Sequence, residues 1–295
     1  MRVHFRKISI IGVGLLGGSI GLAVRRHRLA TEIAGYVRRA ASLKDCEDAG
    51  AVDYATTDLL AAVSDADLVI LCTPLAQMGS LVRQFRPALK RGAIITDVGS
   101  VKADVVRELE TLTHKTGAHF VGCHPMAGGE KMGVSAARED LFVNALNIIT
   151  PTRKSNRAAV NKLERFWKAL GARTMKLNAA QHDALVGRAS HLPHVAAAAL
   201  TNLVLSPTSP KQQGKLCATG FRDTTRIASG SPEMWRDIAL ANRKNIARSL
   251  GAYADELKKF QAVLMRGDAK GVESFFATAK ERRDKWVVNG ASTTE

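Results

Sequence analysis

Residues 1–177 alternate short apolar or β-branched runs with stretches of helical spacing. The runs lie at 8–11, 33–37, 67–72, 93–96, 119–121 and 146–149, and 67–72 has the continuous apolar character of a strand covered on both faces. Helical spacing occupies 15–26, 40–49, 79–85, 101–112 and 156–170, and a last strand pattern follows at 173–176. This rhythm predicts an α/β fold, a doubly wound parallel sheet with right-handed crossovers, which 156–170 and 173–176 complete. From residue 178 the strand patterns nearly vanish. Residues 179–205 read as one long Ala- and Leu-rich helix bent at Pro193, 206–220 as a loop, and 232–265 and 269–288 as long helices. The boundary is therefore set between 1–177 and an all-α domain over 178–295. Apolar faces on these helices predict a homodimer formed through them, and residues 292–295 are expected to fray.

Composition narrows the class. With 46% hydrophobic and 24% charged residues, a chain of 295 residues can bury a large core and is not globally disordered. A net charge of +16 raises the question of nucleic acid, but the basic residues are scattered and no aromatic residues interleave with them as a stacking surface would. Attraction of small polyanions accounts for the sign, and no nucleic-acid partner is expected. Cys46, Cys72, Cys123 and Cys217 show no metal-type spacing and read as reduced thiols. The apolar run 8–24 superficially resembles a signal peptide, but it holds five glycines in a spacing of their own and no cleavage site follows. No other segment is long and apolar enough for a bilayer, so a cytoplasmic protein without a membrane partner is expected.

The glycines spell Gly12-Val13-Gly14-Leu15-Leu16-Gly17 between a strand and a helix. In that context Gly12 permits the tight turn, Gly14 lets backbone approach a pyrophosphate, and Gly17 lets helix pack on strand. The first helical residues, Leu15 and Leu16, bring free N–H groups to the phosphates. Thr73, directly after the run 67–72, is placed in the same cofactor-binding set. The second strand ends in Arg38-Arg39 where an NAD site carries an acid. A guanidinium grips a 2′-phosphate that a carboxylate would repel, so NADP is expected over NAD.

Of eight histidines, His4, His27, His114, His119 and His182 sit in contexts of surface or packing and receive no role. His124 follows a strand in Cys123-His124-Pro125-Met126-Ala127-Gly128-Gly129-Glu130, and Asp97-Val98-Gly99-Ser100-Val101-Lys102 follows another. Both are expected at the carboxyl edge of the sheet, where ligands bind in such folds. With Ser190-His191-Leu192-Pro193-His194 and Phe221-Arg222-Asp223-Thr224-Thr225-Arg226-Ile227-Ala228, these segments resemble, in order along nearly the whole chain, the prephenate and arogenate dehydrogenases of tyrosine biosynthesis.

That resemblance implies a Rossmann-type domain followed by a helical dimerisation domain, and oxidative decarboxylation of a cyclohexadienol carrying carboxylates. Prephenate would give 4-hydroxyphenylpyruvate and arogenate tyrosine, and NADP leans toward arogenate by analogy alone. His124 matches the family's catalytic His and would accept the proton of the ring hydroxyl as hydride leaves for the nicotinamide. Ser100 matches the family's Ser and would hydrogen-bond the hydroxyl or orient His124. Arg226 matches the substrate-binding Arg, with Arg222 a competing carboxylate ligand. His191 and His194, three apart on a helix, share a face and would contact substrate, assisted by Ser190. The resemblance also suggests that Glu130 helps gate the pocket. No metal is required, because loss of CO₂ aromatises the ring. Within 295 residues no segment remains for the ACT domain or fused chorismate mutase that some relatives carry. The alternatives are a two-domain NADP enzyme of the β-hydroxyacid or 6-phosphogluconate type, or a non-catalytic NADP-binding module. The former resemble one another in using a second-domain Lys as base, and the helix from 179 carries none.

Overall fold

The computed structural model describes residues 3–129 and 131–291, so Glu130 and the tail 292–295, for which a gating role and fraying are expected, lie outside the described residues. The chain forms two compact units, residues 1–242 and 243–295. The first opens with β1 (Phe5–Ile11), α1 (Leu15–Arg26), β2 (Ala30–Tyr36), α2 (Leu43–Asp48), β3 (Tyr54–Thr56) and α3 (Leu59–Val63). It continues with β4 (Leu68–Leu71), α4 (Leu75–Phe85), β5 (Ile94–Asp97), α5 (Ala103–Thr113) and β6 (His119–Phe120). The six strands pair in parallel in the order β3-β2-β1-β4-β5-β6, the nucleotide-binding order expected for a Rossmann-type sheet.

Alternation along the strands builds two cores. Ile8, Ile10, Leu68, Ile70 and Ile94 face one side and meet Ile20 and Val24 of α1 and, from further along the chain, Phe166 and Trp167. Ile11, Val69, Leu71 and Ile95 face the other and meet Val63, Val82, Phe85 and Leu109 of α3, α4 and α5. Helices on both faces explain why these strands carry no polar alternation. Neither β3 nor α3 shows in the hydrophobic pattern, being too short for a period to register. Asp58 starts α3, accepting the N–H groups of Leu60 and Ala61 at 2.9 and 3.0 Å.

The last strands depart from expectation. β7 (Gly122–Pro125), β8 (Leu146–Thr150) and β9 (Arg173–Lys176), with α6 (Arg157–Ala169) between β8 and β9, form a second sheet in the order β7-β8-β9. Residues 173–176 therefore do not complete the large sheet. β7 and β8 are antiparallel, since no α-helix lies between them to carry a crossover, whereas α6 makes β8 and β9 parallel. The chain passes from one sheet to the other at Val121, so His124 stands just beyond the end of β6.

The helix expected over 179–205 is three pieces: α7 (Ala179–Val186), a π turn at Gly187–His191, and α8 (Leu192–Val204). Pro193 has no N–H for the carbonyl of Ala189, and the π turn absorbs that missing bond. α9 (Thr219–Thr225), a 3₁₀ turn at Arg226–Ser229 and α10 (Pro232–Ala241) complete the first unit. In the second unit α11 (Arg243–Met265) and α12 (Ala269–Ala291) pair through Phe260, Phe275 and Phe276, with ring centroids 4.6 to 5.6 Å apart. The expected helix 232–265 is thus divided at Asn242. No helix among the described residues is long and apolar enough to cross a membrane.

Candidate active site

The glycine turn lies at the carboxyl end of β1, held by bonds from Gly12 N–H to Tyr36 O (2.9 Å) and from Cys72 N–H to Ile11 O (2.8 Å). Gly12 has φ +99°, and a Cβ there would meet the carbonyl oxygen of Cys72 at 2.8 Å. Only glycine fits this turn. A Cβ on Gly14, by contrast, would meet nothing within 4 Å, so open space fronts the first turn of α1. Gly14 caps that helix without a side-chain bond, leaving the N–H groups of the turn containing Leu15 and Leu16 directed at the space. Thr73 Oγ1 beside it is buried without a hydrogen-bond partner. Val13, Ser42, Asp45, Cys46, Asp48 and Val134 help line an adjoining cleft of about 500 Å³. Arg38 and Arg39 follow β2, exposed and with no side-chain partner among the described residues. The loop after β7 is strapped across α1 by Arg138 N–H to Ser19 Oγ (3.0 Å) and by the Arg26–Glu139 ion pair. An anion-ready helix end, an orphan hydroxyl and an adjoining cleft fit a dinucleotide.

The two sheets are joined by a buried ion pair. Asp97, the last residue of β5, pairs with Lys102 Nζ, and both side chains are wholly buried. The carboxylate also accepts N–H bonds from Gly99 (2.9 Å) and Cys123 (3.2 Å), and Lys102 Nζ donates to Cys123 O at 3.0 Å. This clamp fixes the backbone on both sides of Ser100, which is half-buried, and immediately before His124. Cys123 itself is fully buried, its thiol pushed up to about 11 mainly by burial, so it offers no nucleophile.

His182, to which the sequence assigns no role, is fully buried and hydrogen-bonds the candidate base: His124 Nδ1 lies 2.8 Å from His182 Nε2. His182 Nδ1 lies in turn 2.8 Å from Asp183 Oδ1. Asp183 accepts the N–H groups of Lys102 and Ala103 at 2.7 and 2.8 Å, tying α7 to the start of α5. Asn242 Nδ2 donates to Asp183 O (2.8 Å), and lies 3.1 Å from His191 Nδ1. Because that amide nitrogen already serves a carbonyl, His191 Nδ1 is its acceptor and Nε2 carries the ring proton. His191 Nε2 is buried without a partner, a donor awaiting an acceptor. The π turn puts His191, rather than Ser190, on the buried face after Val186 and Gly187. His194 is only half-buried and its Nδ1 bonds Ser190 O at 3.0 Å. Both imidazoles meet Trp235, with centroids 6.0 Å from His191 and 4.0 Å from His194. Arg222 and Arg226 are exposed, and the turn starting at Arg226 packs on α8.

Burial, reinforced by His182, Lys102 and His191, holds the His124 imidazole well below its ordinary range. Burial likewise brings His191 down to about 4, against the pull of Asp183. Depressed folded-state values mean that the unfolded chain takes up protons first as pH falls. The stability tied to these two neutral rings is full above about pH 6.5, and is lost as pH falls toward 4. Urea midpoints should therefore decline steadily below about pH 6.5, and midpoints flat down to about pH 4.5 would contradict the burial of neutral rings.

The family model for the prephenate dehydrogenase nucleotide-binding domain matches residues 20–176, and that for the prephenate dehydrogenase dimerization domain matches residues 178–281. The chain is 35% identical to prephenate dehydrogenase of Bacillus subtilis over 94% of this chain and 75% of that protein. It is 32% identical to cyclohexadienyl dehydrogenase of Zymomonas mobilis over 95% of each. Among solved structures, prephenate dehydrogenase of A. aeolicus in complex with hydroxyphenyl propionate and NAD+ superposes with TM-score 0.90 at 30% identity, covering 97% of this chain and 99% of that one. Strand order, glycine turn and the matched segments agree, and the chain belongs to the prephenate dehydrogenase family of nicotinamide-dependent oxidoreductases in tyrosine biosynthesis.

Proposed function

We propose that this enzyme oxidatively decarboxylates arogenate or prephenate with NADP in preference to NAD, using His124 as the proton acceptor. The observation that carries this reading is the placement of His124: one ring nitrogen is bound by His182, and Nε2 has no partner among the described residues. Residues 1–177 hold the dinucleotide through Gly12, Gly14, Leu15, Leu16, Gly17 and Thr73, and residues 178–295 supply substrate contacts and the homodimer. The name of the second matching domain and the exposed Leu257, Leu264, Phe276 and Trp286 of α11 and α12 support that assembly.

The bound nicotinamide supplies the hydride acceptor. As the C4–H pair of electrons departs, the hydroxyl oxygen on C4 becomes a carbonyl and its proton passes to His124 Nε2. Ser100 hydrogen-bonds the same oxygen. The ring carboxylate then leaves as CO₂, its bonding electrons aromatise the ring, and the resulting phenolate oxygen takes back the proton held by His124 to give the phenol. Arg226 anchors a carboxylate, and His191, through its Nε2–H, with His194 and Ser190, holds the remaining polar groups. Reduced-nicotinamide absorbance, with prephenate and arogenate offered separately, tests the reading. Turnover of at least one is expected, and oxidation of neither would refute it.

Cofactor choice rests on Arg38 and Arg39. Charge-assisted bonds to a 2′-phosphate contribute about 1.5–3 kcal/mol. Replacing both by Ala should weaken NADP binding by roughly 10- to 100-fold in a fluorescence titration while leaving NAD nearly unchanged. Asp45 and Asp48, which line the cleft adjoining the glycine turn, favour the second reading, NAD. A higher kcat/KM with NAD in the wild-type enzyme would establish it.

A further inference from the structure

From this geometry we infer that His182 and Asp183 form a proton relay behind His124: they fix its tautomer and receive a share of the proton taken from substrate. The inference deepens the proposed role of His124 and rests on it. Asp183 Oδ1 accepts from Lys102 N–H, and Oδ2 from Ala103 N–H, so the carboxylate faces three donors, the third being His182 Nδ1. A carboxylate has no proton to give, so His182 Nδ1 carries the hydrogen and His182 Nε2 presents a lone pair. That lone pair requires the hydrogen of His124 to sit on Nδ1. The remaining nitrogen of His124, Nε2, is then a lone pair facing away from the relay. The tautomer needed for base catalysis is thus set three groups back, at the start of α5.

The same chain of bonds accommodates the proton. When Nε2 of His124 bonds the substrate's hydroxyl proton, the Nδ1 proton can pass to His182 Nε2, leaving His182 protonated on both nitrogens against Asp183. One positive charge is formed and it comes to rest beside a carboxylate. The other charged groups facing His124 do not offer this. On β5 and at the start of α5, Asp97 and Lys102 neutralise each other. On the π turn, His191 is engaged by Asn242, and on β7 the Cys123 thiol stays protonated. Without the relay, an imidazolium would form in a buried site beside Lys102, and burial already disfavours it. Both bonds of the relay are short and desolvated, where charge-assisted contacts are strongest.

His182 is accordingly a positioning residue, and His182→Gln separates its two tasks. Glutamine keeps an acceptor for His124 Nδ1–H but cannot be protonated. The expected result is a kcat lowered by about 10²-fold, with coenzyme affinity nearly unchanged. The acid limb of kcat/KM should move to lower pH, because a base deprived of its counter-charge takes up its proton less readily. If glutamine restores wild-type kcat and an unmoved acid limb, the ring serves only as a prop and the relay is overturned. Should the variant fail to fold, side-chain ¹⁵N spectra of the wild-type full chain decide the matter. They should show His124 and His182 both as Nδ1–H tautomers, and a His124 protonated on Nε2 at neutral pH would overturn the relay. The spectra do not depend on turnover, so wild-type protein that oxidises neither cyclohexadienol would sink the functional reading separately.

Discussion

His124→Asn is expected to lower kcat by at least about 10²-fold, the usual contribution of a positioned base, while leaving NADP affinity nearly intact. Asparagine ends close to where Nδ1 stands and can still donate to His182 Nε2, so the buried contact at 2.8 Å is preserved in kind. What disappears is any group at the position of Nε2. The loss should fall on kcat and kcat/KM together, since the interaction with the hydroxyl proton strengthens only as the proton moves. Stopped-flow measurement of the hydride step, with coenzyme affinity titrated in parallel, separates chemistry from binding. A variant retaining more than about a tenth of wild-type kcat would remove His124 from this role.

The second large effect is on stability. Lys102→Met should destabilise the first unit by about 3–5 kcal/mol, the usual consequence of leaving a buried charge without its partner. The Asp97 carboxylate would keep only its N–H bonds from Gly99 and Cys123 in a wholly buried site. Adding Asp97→Leu should recover much of the loss, because a buried pair replaced by apolar groups is often neutral or better. The urea midpoint, followed by far-UV circular dichroism in the single and double variants, reads both outcomes. A Lys102→Met midpoint equal to wild type would show that the clamp between the sheets does not hold them.

Much of this arrangement is legible along the chain because it is local. Gly12 to Gly17 must sit between a strand and a helix to have their spacing, and the continuous apolar run before Thr73 by itself marks a central strand. His124 is legible through its turn. His182 is not, because a single imidazole in Ala180-Gln181-His182-Asp183 carries no period or motif of its own. Its meaning arises only when α7 is laid against the start of α5 and the end of β7. The one available signal was the adjacent acid: His182-Asp183 is the sole His-Asp pair in the chain, in the first helix after the last strand. The misassignment of β9 has a similar origin. A strand pattern states that residues pair but not with which sheet, and the change of sheet at Val121 leaves no local mark. Pro193 announced a distortion, yet a bend and a π turn differ by one inserted residue, which decides whether Ser190 or His191 faces inward.

Catalysis by this route requires His124 Nε2 to meet the hydroxyl on the carbon that loses hydride. A crystal structure of the enzyme with NADP and a 4-hydroxyphenyl product analogue tests this most directly. The 4-hydroxyl oxygen is expected about 2.6–3.2 Å from His124 Nε2, with Arg226 on the carboxylate at the other end. An analogue bound in the reverse sense, with its carboxylate on His124 and its hydroxyl toward Arg226, would contradict it.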